Sequence, residues 1–303
     1  MEGKGVFENP GLMPALALFC AILWSLAYPF IKLGYASFGI ASTDLGGKLL
    51  FAGLRFLFAG LIVLLLHRNV HAEGVSGRAW GLLVLYALVN TSLHYMFSYI
   101  GLGYIPAGRG SVLNSMGSFF LVVISCLVFP DDHMSVPKAL GCLLGIGGIL
   151  LINVKPGEAF FADASFRGDG MVVLNALCSA FGGIIGRLVS RKMDMTRATG
   201  LSMALGGAVL CICALLVGLD APWQVTLTGV LLLFALTLIS ALAFTIYNLL
   251  LASHPISKVA VFNAFIPVFS VLLSCVMGEP FHLKYLVAGL LAAFGTKLVN
   301  RKP

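Results

Sequence analysis

The sequence predicts an all-α integral membrane protein of ten transmembrane helices, arranged as two inverted five-helix repeats. Three observations predict it. Of 303 residues, 59% are apolar and only 10% carry a charge, far from the roughly 25% charged residues of a water-soluble domain. Apolar runs of spanning length, about 20 residues for ~30 Å of hydrocarbon, recur from end to end, separated by short polar loops. Finally, one stretch occurs twice: residues 106–133 align without a gap on residues 255–282, 28 positions at a constant offset of 149. Eight positions are identical, namely Pro106/Pro255, Val112/Val261, Asn114/Asn263, Phe120/Phe269, Val122/Val271, Ser125/Ser274, Cys126/Cys275 and His133/His282. Shortly afterwards Gly141 and Gly147 fall opposite Gly289 and Gly295. An offset of almost half the chain reads as the duplication of one unit.

In order, the ten runs are 12–31, 49–66, 80–102, 107–129, 139–154, 170–188, 198–219, 227–252, 259–277 and 282–298. The first reaches full spanning length and lacks a cleavage pattern, so it reads as an uncleaved first helix. The second carries Arg55 about two turns inside. The third and fourth nearly fuse through GLGYIPAGRG, where Pro106 and the glycines break the helix. The fifth holds Gly141 and Gly145, and the sixth Gly182 and Gly186, the small-xxx-small spacing of close helix packing. Between them, 155–169 is the longest loop without apolar character. It is the seam between a first repeat, 12–154, and a second, 170–300. The seventh and eighth are continuous apolar runs, and the ninth and tenth repeat the fourth and fifth.

Charge sets the orientation. All twelve carboxylates fall in tails or loops, as the cost of burying charge in a bilayer demands. With both termini inside, twelve Lys and Arg lie in cytoplasmic loops against six outside, which predicts cytoplasmic termini in the cell (inner) membrane. Five spans per half is odd, so the copies insert in opposite senses. The net charge of +7 is scattered over many loops with no basic stripe interleaved with aromatics, which argues against a nucleic-acid partner. The partners expected are the lipid bilayer and a small-molecule substrate; monomer and homodimer stay open. The seven cysteines are odd in number and lie inside apolar runs, where they read as packing residues, with no disulfide framework, metal or cofactor expected. Gly47-Lys48 lacks the other residues of a phosphate loop, and Asn90-Thr91-Ser92 is a glycosylation sequon inside a span.

Polar residues on a spanning helix carry the functional signal, because an apolar residue was available at each position. In the third run Asn90, His94 and Ser98 are spaced i, i+4, i+8, with Tyr95 alongside. In the ninth Asn263, Pro267, Ser270 and Ser274 share a face, and the fourth answers with Asn114, Ser118 and Ser125. The sixth has Asn175 and Ser179, the eighth Ser240 and Tyr247, and the first Trp24 and Tyr28. Each serine also has a plain structural role, bonding backbone carbonyls or neighbouring helices at about 1 kcal/mol each. His94 is the one ionisable side chain near the middle of a span, and it either binds substrate, carries a proton or bridges helices. Arg55 is expected to snorkel to the outer interface, against an anion-binding or gating role. Lys32 and Arg187 are expected to anchor the ends of the first and sixth helices at opposite interfaces.

Pro267, Glu279 with Pro280, Gly289 and Gly295, with the opening LFCAILWSLAYPFIKLG around Trp24 and LRFLFAG around Arg55, resemble the drug/metabolite transporter superfamily, specifically its ten-helix members with two EamA-type repeats. The first half departs from that pattern: Ser118 stands in place of the helix proline, and Pro130 in place of the acid, with Asp131 one residue on. The resemblance implies a secondary carrier of small metabolites, often an exporter of amino acids or related compounds, and not an enzyme.

Energy coupling follows from what the spans lack. Ion-driven carriers commonly use a membrane carboxylate, and no Asp or Glu falls inside any of the ten runs. The expectation is a neutral or zwitterionic substrate moving by alternating access through a facilitator or exchanger. The substrate-binding set expected is Trp24, Tyr28, Asn90, His94, Tyr95, Ser98, Asn114, Ser118, Asn175, Ser179, Ser240, Tyr247 and Asn263. The alternatives are a proton-coupled drug, metabolite or nucleoside transporter using His94, and, in a different class, a channel or non-transporting membrane subunit.

Overall fold

In hydrocarbon a backbone N–H or C=O without an internal partner costs several kcal/mol, so each apolar run satisfies its own backbone as a helix. The computed structural model describes residues 5–41, 43–67, 76–102, 104, 107–153, 165–276 and 283–300. Among them every predicted run is helical and no strand occurs. After a 3-10 turn at Val6–Glu8, α1 is Met13–Phe38 and α2 is Leu45–Leu66. Helix α3 covers 77–102 with a π turn, Leu88–Leu93, set into it; α4 is Ala107–Val128 and α5 is Val136–Asn153. Helix α6 opens with a π turn at Phe166–Gly170 and continues as Met171–Ser190, followed by α7, Met195–Val217, and α8, Leu227–Ser253. Helix α9 covers 256–276 with a 3-10 turn at Val261–Ala264, and α10 is Leu283–Val299. Pro106, residues 155–164 of the seam, and Glu279 with Pro280 lie outside the described residues.

Among the described residues six helices, α1, α2, α3, α6, α7 and α8, are long and apolar enough to cross a membrane. The other four contain shorter apolar stretches, Met116–Val128, Val136–Gly148, Ile256–Ser270 and Val287–Val299. Large side chains such as Leu65, Leu127, Leu216 and Leu290 are more than half exposed on the outside, a surface that suits lipid and not water.

Three helix starts and ends differ by four residues or more from the sequence expectation, each for a local reason. Helix α1 continues past 31 until Gly39, whose φ of 69° ends it in the left-handed conformation. Helix α2 starts at Leu45, before 49, because the Asp44 side chain accepts from the Gly47 N–H and caps it. Helix α6 starts at Phe166, where Ser165 caps the Gly168 N–H, so Asp169 falls within the first turn.

The helices do not form two separate bundles. Helix α2 packs along α7, α5 along α10, α4 along α6, and α1 along both α8 and α9, with α3 against α6 and α7. Exchanging α1–α5 with α6–α10 carries this pattern onto itself: α1–α8 becomes α6–α3, α4–α6 becomes α9–α1, and α2–α7 and α5–α10 become themselves. The halves therefore interlock around a pseudo-two-fold relation, as duplication with an odd count per half requires. Both self-related pairs approach through glycine. A Cβ on Gly141 of α5 or on Gly295 of α10 would strike the other's carbonyl oxygen, at 2.5 and 2.6 Å. On the α2–α7 seam, Gly46, Gly53 and Gly60 recur every seven residues opposite Gly200 and Gly207, and a Cβ on any of the five meets backbone or packed side chain.

Candidate functional site

The two repeated asparagines each sit in a polar cluster built from three helices. Asn114 of α4 accepts, through Oδ1, a 2.5 Å hydrogen bond from Asn175 Nδ2 of α6, while His94 Nδ1 of α3 lies 3.2 Å from the Asn175 carbonyl oxygen. Asn263 of α9 donates through Nδ2 to the Tyr247 hydroxyl of α8 at 2.9 Å, and the Tyr247 ring meets Trp24 of α1 at 4.9 Å. Helices 3, 4 and 6 exchange with 8, 9 and 1 under the pseudo-two-fold, so these clusters are counterparts. Their chemistry has diverged: one carries a histidine and two amides, the other an indole, a phenol and one amide.

A chain of ring contacts joins the two clusters. Trp24 packs edge-on to Phe244 at 5.5 Å, Phe244 to Phe56 at 5.8 Å, Phe56 to Tyr95 at 4.3 Å and Tyr95 to His94 at 4.6 Å. The arc thus runs from Asn263 to Asn114 through α8, α1, α2, α3 and α6, using both halves of the chain. Each aromatic pair is worth about 0.5–1.5 kcal/mol beyond its buried area, so the arc is a stiff wall. Three polar atoms on it are buried without a hydrogen-bond partner among the described residues: Trp24 Nε1, Asn175 Oδ1 and Asn263 Oδ1. A buried polar group left unpaired costs about 1–3 kcal/mol. In a binding site that deficit is met by ligand.

Arg55 is not where the sequence placed it. It does not snorkel to the interface: it is 2% exposed, donates through Nε to Ser240 Oγ of α8 at 2.6 Å, and lies 5.0 Å from the Phe56 ring centroid. Ser240, itself fully buried, donates through its hydroxyl to the Leu236 carbonyl at 2.9 Å. The arc therefore has a cation behind its midpoint.

The remaining expected residues separate. Asn90 lies against Gly182 of α6, with its Cβ 3.0 Å from where a Cβ on that glycine would stand, so it packs beside the His94 cluster without joining it. Ser98, Ser118 and Ser179 are half-buried, and among the described residues none hydrogen-bonds to the arc; Ser179 fits against Gly117 of α4. The side chains of Tyr28 and Ser274 lie outside the described set. Phe56 and Phe244 belong to the arc and were not singled out from sequence, because nothing distinguishes them among 22 phenylalanines. Among the described residues no three His, Cys, Asp or Glu side chains converge to hold a metal.

A second polar centre closes one end of the helix assembly. Asp132, fully buried in the α4–α5 turn, accepts from Ser125 Oγ at 2.9 Å, Lys138 Nζ at 2.7 Å and the Ser257 N–H at 2.7 Å, and also from the Ser257 hydroxyl. Burial pushes its carboxyl up, but the hydrogen bonds from Lys138 and Ser257 together outweigh that and hold it below the ordinary carboxylate range. Next to it Asp131 pairs with Arg187 Nη2 of α6 at 2.5 Å. Arg187 also donates to the carbonyls of Leu251 and His254 at the end of α8. The expected interface anchor is therefore 9% exposed and holds the two halves together. His254 in turn meets the Phe7 carbonyl at 2.8 Å, which brings the N-terminal segment to this end.

The comparisons with known proteins agree with this architecture. The chain is 28% identical over 299 residues to the uncharacterized transporter YvbV of Bacillus subtilis, covering 97% of this chain and 94% of that one. It is 29% identical over 191 residues to a chloroplastic WAT1-related protein of Arabidopsis thaliana, covering 61% of this chain and 45% of that one. A solved crystal structure superposes with a TM-score of 0.78 at 19% identity, covering 95% of this chain and 97% of that chain, a likeness of fold. Residues 12–154 and 166–301 each match the EamA-like transporter family. A multi-pass helical protein whose two halves both carry that signature belongs to the EamA-like transporter family, and it is a membrane transporter.

Proposed function

We propose that this transporter is a secondary carrier that moves neutral or zwitterionic small metabolites, amino acids first, by alternating access, as a facilitator or exchanger suited to export. The observation that carries the reading is the arc itself: aromatic surface with a few unpaired polar atoms, drawn from both halves and ending on the two repeated asparagines. Aromatic walls with sparse, fixed polar groups are how small ligands are held. A site made jointly by two pseudo-symmetric halves is the arrangement in which rocking exposes it to either side in turn. In this reading 12–154 and 170–300 are the inverted repeats that rock, both termini are cytoplasmic, and the protein sits in the cell membrane. Trp24, Asn114, Asn175, Tyr247 and Asn263 line the substrate, with Ser98, Ser118 and Ser179 along the path.

The test is flux in liposomes reconstituted with the full chain. Saturable uptake of an amino acid, accelerated by unlabelled amino acid on the far side, is the expected result; ohmic conductance in a planar bilayer overturns it in favour of a channel. A second reading, proton coupling, is favoured by the placement of His94 within the Asn114–Asn175 cluster. Concentrative uptake that follows an imposed pH gradient and vanishes in His94→Gln selects that reading over the uncoupled one.

A further inference from the structure

We propose that Arg55 is the anion anchor of the transport site and that it restricts the substrate to molecules bearing a carboxylate. The proposal rests on the carrier reading above and specifies its substrate. A guanidinium carries five N–H donors in a rigid fork. Within the described residues only Nε is used, on Ser240 Oγ at 2.6 Å. Among those residues no carboxylate stands within ion-pair distance, and the guanidinium lies 5.0 Å from the centroid of the uncharged Phe56 ring.

A charge that is 2% exposed and has no counter-ion among the described residues is costly to keep. Tethering α2 to α8 through Ser240 does not need a charge, since a neutral amide N–H also donates to a hydroxyl. What a guanidinium adds is a bidentate grip on a planar carboxylate. Arg55 is also placed where such a grip is useful, since the next residue, Phe56, is the middle ring of the arc and touches both Tyr95 and Phe244. A carboxylate held by the two terminal nitrogens therefore leaves the rest of its molecule against aromatic surface. The unpaired amide oxygens of Asn175 and Asn263 accept any donor the substrate carries at either end. The carboxylate neutralises Arg55, and an ammonium, where the substrate carries one, is met by the dipoles of the amide oxygens.

Three probes that share one phenyl ring separate the possibilities. The purified full-length protein is titrated by thermal shift and intrinsic tryptophan fluorescence with 3-phenylpropionate, L-phenylalanine and phenethylamine, and the same series is run on Arg55→Lys and Arg55→Gln. The expected result is binding of the two carboxylates at least about tenfold tighter than the amine, lost in Arg55→Gln and partly kept in Arg55→Lys. Equal binding of phenethylamine and 3-phenylpropionate overturns the assignment, as does a wild type that none of the probes binds. So does Arg55→Gln with an unaltered Kd for the carboxylates. If Arg55→Gln does not fold, the wild-type comparison alone decides. Counterflow with the same probes separates this from the carrier reading. Selective binding without saturable flux refutes transport and leaves the anchor standing, whereas saturable flux that ignores the carboxylate refutes the anchor and leaves transport standing.

Discussion

Replacing Gly53 by alanine tests the interlocked architecture at its tightest seam. A Cβ at this position of α2 would lie 2.6 Å from Cys211 Sγ, 2.8 Å from Cys211 N and 2.9 Å from the Gly207 carbonyl oxygen of α7. Ordinary contacts of this kind sit at about 3.5–4.0 Å. The thiol can swing aside, but the two backbone atoms cannot, so α2 and α7 must separate by more than about 0.5 Å along their shared face, a gap that forfeits a quarter or more of each contact. Overpacking of this size costs about 1–3 kcal/mol. The comparison variant is Gly81→Ala in α3, where a Cβ meets nothing within 4 Å. Both substitutions gain the same intrinsic helix propensity, so their difference isolates the close approach. Denaturant titration of the two purified variants in detergent is expected to place Gly53→Ala about 1–3 kcal/mol below Gly81→Ala. Equal stabilities would refute the close packing of α2 on α7.

The polar end yields two further predictions. Because the folded-state carboxyl of Asp132 titrates below its unfolded value, the unfolded chain binds more protons between the two. Asp132 therefore adds stability above about pH 4, which is lost as pH falls through the folded value; Asp132→Asn is expected to flatten that acid limb of a stability–pH curve, and an unchanged limb contradicts it. Arg187→Gln, which strips buried carbonyls of their donor, is expected to destabilise more than Asp131→Asn, whose carboxylate is half exposed and is worth about 1 kcal/mol at most; the reverse order in thermal unfolding counts against a buried Arg187.

Much of the fold was legible because lipid leaves few choices: ten apolar runs became ten helices, and the duplicated segment became counterpart helices α4 and α9. The asparagines, His94, Tyr247 and Trp24 stood out as polar or amphipathic residues in apolar surroundings, and the structure gathers them along one arc. Three things were not legible. Phe56 and Phe244 look like any other buried apolar residue until the neighbouring helix is known. Arg187 lies near a helix end, where long cations usually reach water, and Arg55 was read within snorkelling reach of one because α2 starts earlier than its apolar run; only the tertiary positions of Ser240, Leu251 and His254 show that both turn inward. Asp132 was one of twelve carboxylates in tails or loops, and nothing in the sequence showed that it closes the start of α9 from the opposite half. The seven-residue glycine spacing in α2 and α7 was a signal available in the sequence, since small residues recurring on one helix face mark close approach.

The central claim is that the arc joining the two asparagine clusters holds the transported molecule. Counterflow of radiolabelled phenylalanine into liposomes tests it most directly, comparing wild type with Trp24→Ala, Asn263→Ala and Leu216→Ala at matched reconstitution. Trp24 and Asn263 bear on the arc, while Leu216 is 82% exposed on the outer surface of α7. The account predicts that the first two lose about tenfold or more in saturable uptake while Leu216→Ala transports as wild type does. Wild-type flux in both arc variants would contradict it.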